Sequence, residues 1–121
     1  MREPDEILHI ALPDEWAEAR AAGEYRRSTR GNSLDDVGFV HCSYPSQIVR
    51  VANFAYADVA ELVLLHIDPE LLDVELRVEP GDPGGSELFP HVYGPIPTLA
   101  VIDETWWERG GDGLWHRPVL R

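Results

Sequence analysis

The sequence predicts a single α+β domain with two helices in its N-terminal half. Three observations carry this expectation. The first half alternates short apolar runs with helical spacings, and the second half is a series of short strand patterns punctuated by Gly and Pro. No internal repeat or linker divides the 121 residues, so one domain spans 1–121. A chain of this length buries roughly two-thirds of the surface it exposes when unfolded, enough for a real core without disulfide staples.

Ile7–Leu12 is a short apolar run and reads as a buried strand, with Leu8, Ile10 and Leu12 on one face and His9 on the other. Pro13 stops it and opens a helix over 13–22. Asp14 and Glu15 favour the positive end of the helix dipole, Trp16 and Ala19 share a face, and Gly23 supplies the left-handed terminating residue. Residues 24–36 mix Arg26, Arg27 and Arg30 with Ser, Thr, Gly and Asn, which is loop chemistry. Gly38–Ser43 resumes a strand. The spacing of Ile48, Val51, Ala52 and Ala55 predicts a second helix, capped by Ser43 or Ser46.

Leu62–Ile67 is almost continuously apolar, as expected of a strand buried on both faces. Val74, Leu76 and Val78 alternate with Glu75 and Arg77, the pattern of a half-exposed strand, and 80–86 is a Gly/Pro loop. Leu88–Tyr93 is the next strand. Pro95 and Pro97 mark a turn, Leu99–Ile102 a further strand, and Gly110–Gly113 a hairpin turn into a last strand over Leu114–Val119.

Charge and composition exclude several function classes. Asp and Glu number 22 against 10 basic residues, a formal net charge of −12, and every basic residue is arginine. Without lysine the chain can form neither a Schiff base nor a Walker-A phosphate loop. So acidic a protein lacks the clustered positive charge that drives binding to nucleic-acid polymers. Cys42 is the single cysteine, which rules out an internal disulfide and a Cys-x-x-Cys pair and fits a reducing, cytoplasmic compartment. No apolar run reaches membrane-spanning length, so the chain reads as soluble and unprocessed, with no membrane partner.

Phe39-Val40-His41-Cys42-Ser43 and Phe89-Pro90-His91-Val92-Tyr93 each place an aromatic, a histidine and a hydroxyl on one strand face. With His9, three strand segments project a histidine from their less apolar side, and together these could line one cleft. The bland alternative is that each is a hydrogen-bonded structural histidine. The spacing supports no metal site. His41 and Cys42 point to opposite faces, which makes Cys42 a buried, inert thiol rather than a nucleophile. No Gly-x-Ser-x-Gly elbow is present. Arg26, Arg27 and Arg30, close to Arg20, form either a phosphate-binding fork or a loop paired with Glu24, Asp35 and Asp36. Trp106 and Trp107 face opposite ways on a strand, so one packs and one covers an edge or an interface.

From Ile7-Leu8-His9-Ile10 through Gly23-Glu24-Tyr25, Phe39-Val40-His41-Cys42-Ser43 and Leu62 to Asp68, to Phe89-Pro90-His91-Val92-Tyr93-Gly94, the chain resembles domain-of-unknown-function family 952 over residues 7 to about 102. That family is similar in fold to ADP-ribosyltransferase-like proteins, whose split sheets clasp nicotinamide adenine dinucleotide. The element order is also similar to that of the catalytic half of RNA 2'-phosphotransferases. The resemblance implies a split-sheet fold, an NAD- or ADP-ribose-like ligand, and His9 as the first-strand histidine that contacts a ribose. His41 and Ser43 match the second motif strand, and His91 or Tyr93 would meet a base or nicotinamide ring. Transferases of this fold need a late glutamate, for which Glu79 and Glu87, flanking the Gly/Pro loop, are the candidates.

The expected function is binding of a nucleotide or NAD-derived molecule in a cleft lined by His9, His41, Ser43, His91 and Tyr93. Arg26, Arg27 or Arg30 would hold its phosphates, and ribosyl or phosphoryl transfer is the reaction class implied. The alternative is a non-catalytic binding or interaction module that kept the fold and lost catalysis. A third reading makes the histidines structural and offers an exposed Trp107 and an acidic surface to a protein partner. The sequence leaves oligomeric state open.

Overall fold

The computed structural model describes residues 7–82 and 84–118. In chain order the elements are β1 (Ile7–Ala11), α1 (Pro13–Ala22), β2 (Glu24–Tyr25), α2 (Leu34–Val37), β3 (Val40–His41), α3 (Ile48–Ala55), β4 (Glu61–Ile67), β5 (Glu75–Pro80), β6 (Leu88–Tyr93), β7 (Ile96–Pro97) and β8 (Val101–Glu108). The α+β class holds. Among the described residues no helix is long and apolar enough to cross a membrane.

The strands form two antiparallel sheets of three, ordered β1-β4-β8 and β3-β6-β5, and a small β2-β7 pair. Leu8 and Ser43 join the larger sheets: Leu8 N–H donates to Ser43 O at 2.8 Å and Ser43 N–H to Leu8 O at 2.7 Å. Strand β4 is central and buried on both faces from Leu62 onward, as its nearly continuous apolar run requires. Val63, Leu65 and Ile67 pack into one core with Trp16, Tyr25, Val40, Cys42 and Val92, and Leu62 and Leu64 pack into a second with Leu8, Ile48, Ala52, Trp107 and Trp115. Every residue of β1 is buried, because β1 also lies between the two cores. The face that carries His9 is therefore interior and not the open side of a strand.

Helix α1 forms as its sequence dictates, with Pro13 in the first turn and Gly23 at φ 89° closing it through a hydrogen bond to Ala19 O. The chain has a third, short helix, α2, where loop chemistry was expected. Ser33 and Asp36 form a reciprocal capping box, and Gly38 ends the turn at φ 96°. Helix α3 follows the predicted spacing, but neither Ser43 nor Ser46 caps it. Gln47 precedes it, and its side chain bonds instead to Tyr44 N–H, Leu88 O and Glu87.

Two further differences lie in the C-terminal third. Pro97 sits in β7, which pairs with β2 at Glu24–Pro97 and Tyr25–Ile96, so the Pro-rich stretch is a short strand rather than only a turn. Thr98–Ala100 is a 3-10 turn before β8 begins. The Gly110–Gly113 turn is present, with Gly110 N–H bonded to Leu114 O, yet 114–118 is not a strand, and Val119 lies outside the described residues. Trp107 is 3% exposed and Trp106 57%, which resolves the pair and removes Trp107 from any exposed surface.

Gly94, at the end of β6, is fixed by packing rather than by backbone conformation. A Cβ built there lies 2.5 Å from Val74 Cγ1 and 2.9 Å from Val74 Cβ. Gly94→Ala is therefore expected to cost about 1–3 kcal/mol through overpacking, read from urea unfolding. Unchanged stability would mean that Val74 moves aside freely.

Candidate functional site

The register of the β3-β6-β5 sheet builds the site. Val40, Val92 and Leu76 stand opposite one another and face the core, and one residue on, His41, His91 and Arg77 stand opposite one another on the other face. Phe39, Phe89, Tyr93 and Glu79 share that second face by period-2 alternation. The two aromatic-histidine patterns interleave: Phe39 stacks on His91 at 4.0 Å and lies 5.3 Å from Tyr93, while His41 lies 4.9 Å from Phe89. His91 is 1% exposed under this cover.

Within the cluster the side chains form a directed chain of hydrogen bonds. His91 Nδ1 is 2.8 Å from Glu79 Oε2, and the carboxylate can only accept, so Nδ1 carries the hydrogen. His91 Nε2 is then an acceptor, and His41 Nδ1, 3.0 Å away, donates to it. This leaves His41 Nε2 as a lone pair without a hydrogen-bond partner among the described residues. Tyr93 hydroxyl also donates to Glu79 Oε2, and Arg77 lies over the Tyr93 ring at 4.3 Å. Hydrogen bonds from Tyr93 and then His91 hold the Glu79 carboxyl below the usual range.

His9 acts on His41 from behind. Its Nδ1–H donates to His41 O at 2.7 Å, which makes Nε2 the acceptor for Tyr25 hydroxyl at 2.9 Å. Both ring nitrogens of His9 are thus satisfied in the neutral form, and burial lowers its pKa to about 4. His41 N–H donates to Ser28 Oγ at 3.1 Å, so both backbone polar groups of His41 are bonded to side chains. Desolvation, followed by the nearby His91, lowers the pKa of His41 to about 4, so its ring is neutral at physiological pH.

His41 opens onto a cleft of about 550 Å³ between α3 and the 81–87 loop. Phe54 and Phe89 supply its aromatic surface, with Arg50, Thr29 and Glu87 among the polar residues of its wall. Phe54 is 91% exposed. A smaller recess of about 10 Å³ shares Thr29, His41 and Val51 with the cleft and adds His9, Ser28, Ser43 and Tyr56.

The expected site residues fall into four groups. His41 reaches the cleft, Ser43 and His9 border its inner recess, and His91, Glu79 and Tyr93 stand behind His41 in the hydrogen-bonded chain. Glu87 also lines the cleft, but both its oxygens are held by Arg50, at 2.8 and 2.6 Å, with Gln47 adding a bond at 3.0 Å. Arg50 chiefly, with help from Gln47, holds the Glu87 carboxyl down to about 2. Arg26 pairs with Glu24 and Asp35, Arg27 with Glu15 and Glu18, and Arg30 with Asp58, and none of the three lines the cleft. Cys42 is fully buried, which pushes its thiol pKa up.

Sequence reasoning missed Arg50 and Phe54. Both lie one helical turn apart on the face of α3 opposite Ile48 and Ala52, and an aromatic on a helix's polar face was the available signal. The cleft has the volume and the rings for a nucleoside, whereas Arg50, the only arginine in its wall among the described residues, is already bidentate with Glu87, so a pyrophosphate there would have to compete with that carboxylate.

The model of a family described as "Protein of unknown function (DUF952)" matches residues 10–104. The crystal structure of protein CC0527 from Caulobacter crescentus is similar, with a TM-score of 0.77 and 30% identity over 92% of this chain and 93% of that one. A solution NMR structure of CC0527 matches with a TM-score of 0.76 and 31% identity, covering 93% of each chain. No curated protein matches the chain.

Proposed function

The chain belongs to the DUF952 family, to which no activity is attached, and we propose from the site itself that the cleft binds a nucleoside-like small molecule, with His41 Nε2 accepting a hydrogen bond or proton from one of its hydroxyls. The observation that carries this reading is the Glu79–His91–His41 chain, which consumes Nδ1 of His41 and leaves Nε2 as an acceptor at the cleft. Phe54 and Phe89 offer stacking faces for a heterocycle, since every base has a π-face. Two sheets joined at Leu8–Ser43, next to the cleft, support an ADP-ribosyltransferase-like reading of the fold.

In the catalytic version, ribosyl or phosphoryl transfer, His41 is the group competent to take a proton, and His9, His91 and Glu79 position it. A general base is commonly a neutral histidine oriented by a hydrogen-bonded carboxylate; here the Glu79 carboxylate reaches His41 through His91. The non-catalytic version draws support from Glu87, whose two oxygens are occupied and cannot also hold a ribose hydroxyl without giving up Arg50. Ligands bearing phosphate, NAD and ADP-ribose among them, would have to displace that same pair.

The test is a thermal-shift and calorimetric screen against nucleosides, nucleoside monophosphates, ADP-ribose and NAD. A ligand at a hundredfold excess over Kd should add close to 3 kcal/mol, a Tm rise on the order of 10 °C. Phe54→Ala should lose most of that shift, because its exposed ring supports no core. Absence of any shift sinks the reading, as does a shift that Phe54→Ala leaves intact.

A further inference from the structure

The inner recess carries an inference beyond ligand stacking. It holds about 10 Å³, the space of a single water, which in a protein interior needs two to four polar partners. Its lining offers them. Ser43 is 2% exposed, borders the recess, and its hydroxyl bonds to no other described residue. His41 Nε2 is likewise unpartnered. Ser28 Oγ accepts from His41 N–H and Tyr56 hydroxyl accepts from Arg30 N–H, so each still has its own O–H hydrogen to donate. Ser43 Oγ therefore keeps donor and acceptor capacity at the recess, and a water bridging two such groups is nearly as favourable as a direct hydrogen bond.

We propose that the recess is a binding site for one water molecule, held between His41 Nε2 and Ser43 Oγ at the inner end of the cleft. Tyr56 or Ser28 donates to its oxygen, and its two hydrogens go to His41 and Ser43. The proton balance is closed by residues already in contact. At rest the water is neutral; where a reaction draws hydroxide from it, the proton enters at His41 Nε2, the Nδ1 hydrogen of His41 passes to His91 Nε2, and the resulting imidazolium stands against the Glu79 carboxylate. A ligand hydroxyl that bonds to His41 Nε2 takes the place of this water, and Ser43 is the water's holder rather than a nucleophile.

This rests on the proposed cleft only for its use by a ligand; the water site itself is tested without one. A high-resolution crystal structure of the unliganded protein should show a water roughly 2.7–3.2 Å from both His41 Nε2 and Ser43 Oγ. Ser43→Val, which replaces the hydroxyl with a methyl group and leaves the backbone pair to Leu8 intact, should abolish that peak. Should this variant fail to fold, water–hydroxyl NMR cross-peaks at Ser43 and Tyr56 in the native protein answer the same question. A dry recess, a recess closed by a rotated His41 ring, missing cross-peaks, or a water that persists unchanged in Ser43→Val each overturn the proposal. A dry recess with Phe54-dependent nucleoside binding would remove the water and keep the cleft reading; a water present with no ligand bound would do the reverse.

Discussion

Trp115→Ala is expected to destabilise the protein by about 3–5 kcal/mol, the range for truncating a fully buried tryptophan, against a total stability on the order of 5–15 kcal/mol. Trp115 is 1% exposed, and its ring lies 4.8 Å from that of Trp107 in the core beneath α3. Its indole N–H donates to Tyr56 O at 2.9 Å, its backbone N–H donates to Asn53 Oδ1 at 2.8 Å, and Asn53 Nδ2 donates back to Trp115 O at 3.0 Å. Trp107 Nε1–H donates to His116 O at 2.9 Å. Truncation opens a cavity and removes one of two hydrogen bonds to Tyr56 O, which keeps Val59 N–H at 3.1 Å, so the cavity is the main cost. Urea unfolding checks this against Leu114→Ala, which removes a 52% exposed side chain and should change stability by no more than about 0.5 kcal/mol. A loss below about 1 kcal/mol for Trp115→Ala would show that the C-terminal segment does not belong to the core. Because Asn53 and Tyr56 flank Phe54, the same clamp sets the α3 wall of the cleft, and a Trp115 variant should weaken ligand binding even where it remains folded.

The elements with a periodic signal were legible. The continuous apolar run of β4, the alternation in β5 and β6, and the Pro-to-Gly span of α1 each follow from local chemistry that the tertiary structure does not override. What was not legible depends on partners distant in sequence. β7 exists because Glu24 and Tyr25 pair with it, and 114–118 is held by Asn53 and Tyr56 instead of a neighbouring strand. The site divides the same way. Alternation placed His41 and His91 on a shared aromatic face, but only the register that sets them opposite each other orders them into a hydrogen-bonded chain. His9 shows the limit of a face argument. Its strand lies between two cores, so the side opposite Leu8 and Ile10 is another interior. For the arginines the sequence left a phosphate fork and a paired loop open; Arg26 takes the expected Glu24 and Asp35, whereas sequence could not show that Glu15 and Glu18 reach Arg27, or Asp58 Arg30, across α1 and the loop after α3.

Acid should unfold this protein in two stages, the first of which belongs to histidine. His9 and His41 have folded pKa values of about 4 against 6.5 in the unfolded chain. Between those values the unfolded state binds protons that the folded state excludes. Stability is therefore full above pH 6.5 and falls as pH drops toward 4, by up to about 1.4 kcal/mol per unit for each histidine. For His9, enclosed and bonded on both nitrogens, the whole window is worth about 3 kcal/mol; partly open His41 contributes less. Carboxylates act later and with their own sign. The Glu87 pKa of about 2 gives stability that is present above 4.5 and lost as pH falls through 2. Net charge opposes the first stage, since protonating an acidic chain above its pI of about 4.6 relieves self-repulsion, and reinforces the second, so a difference against a variant is the informative quantity. His9→Gln keeps a donor and an acceptor but does not titrate. It should be less stable than the native protein at pH 7, and its loss between pH 6.5 and 4.5 should be smaller by about 1–3 kcal/mol, read from urea midpoints at constant m-value. An NMR titration adds a separate check, because the His9 ring signals should stay in the neutral Nδ1–H form down to near pH 4. Parallel pH profiles for the native protein and His9→Gln, or a His9 that titrates near 6.5, would mean that the ring is hydrated, and the anchor placed behind His41 would be lost.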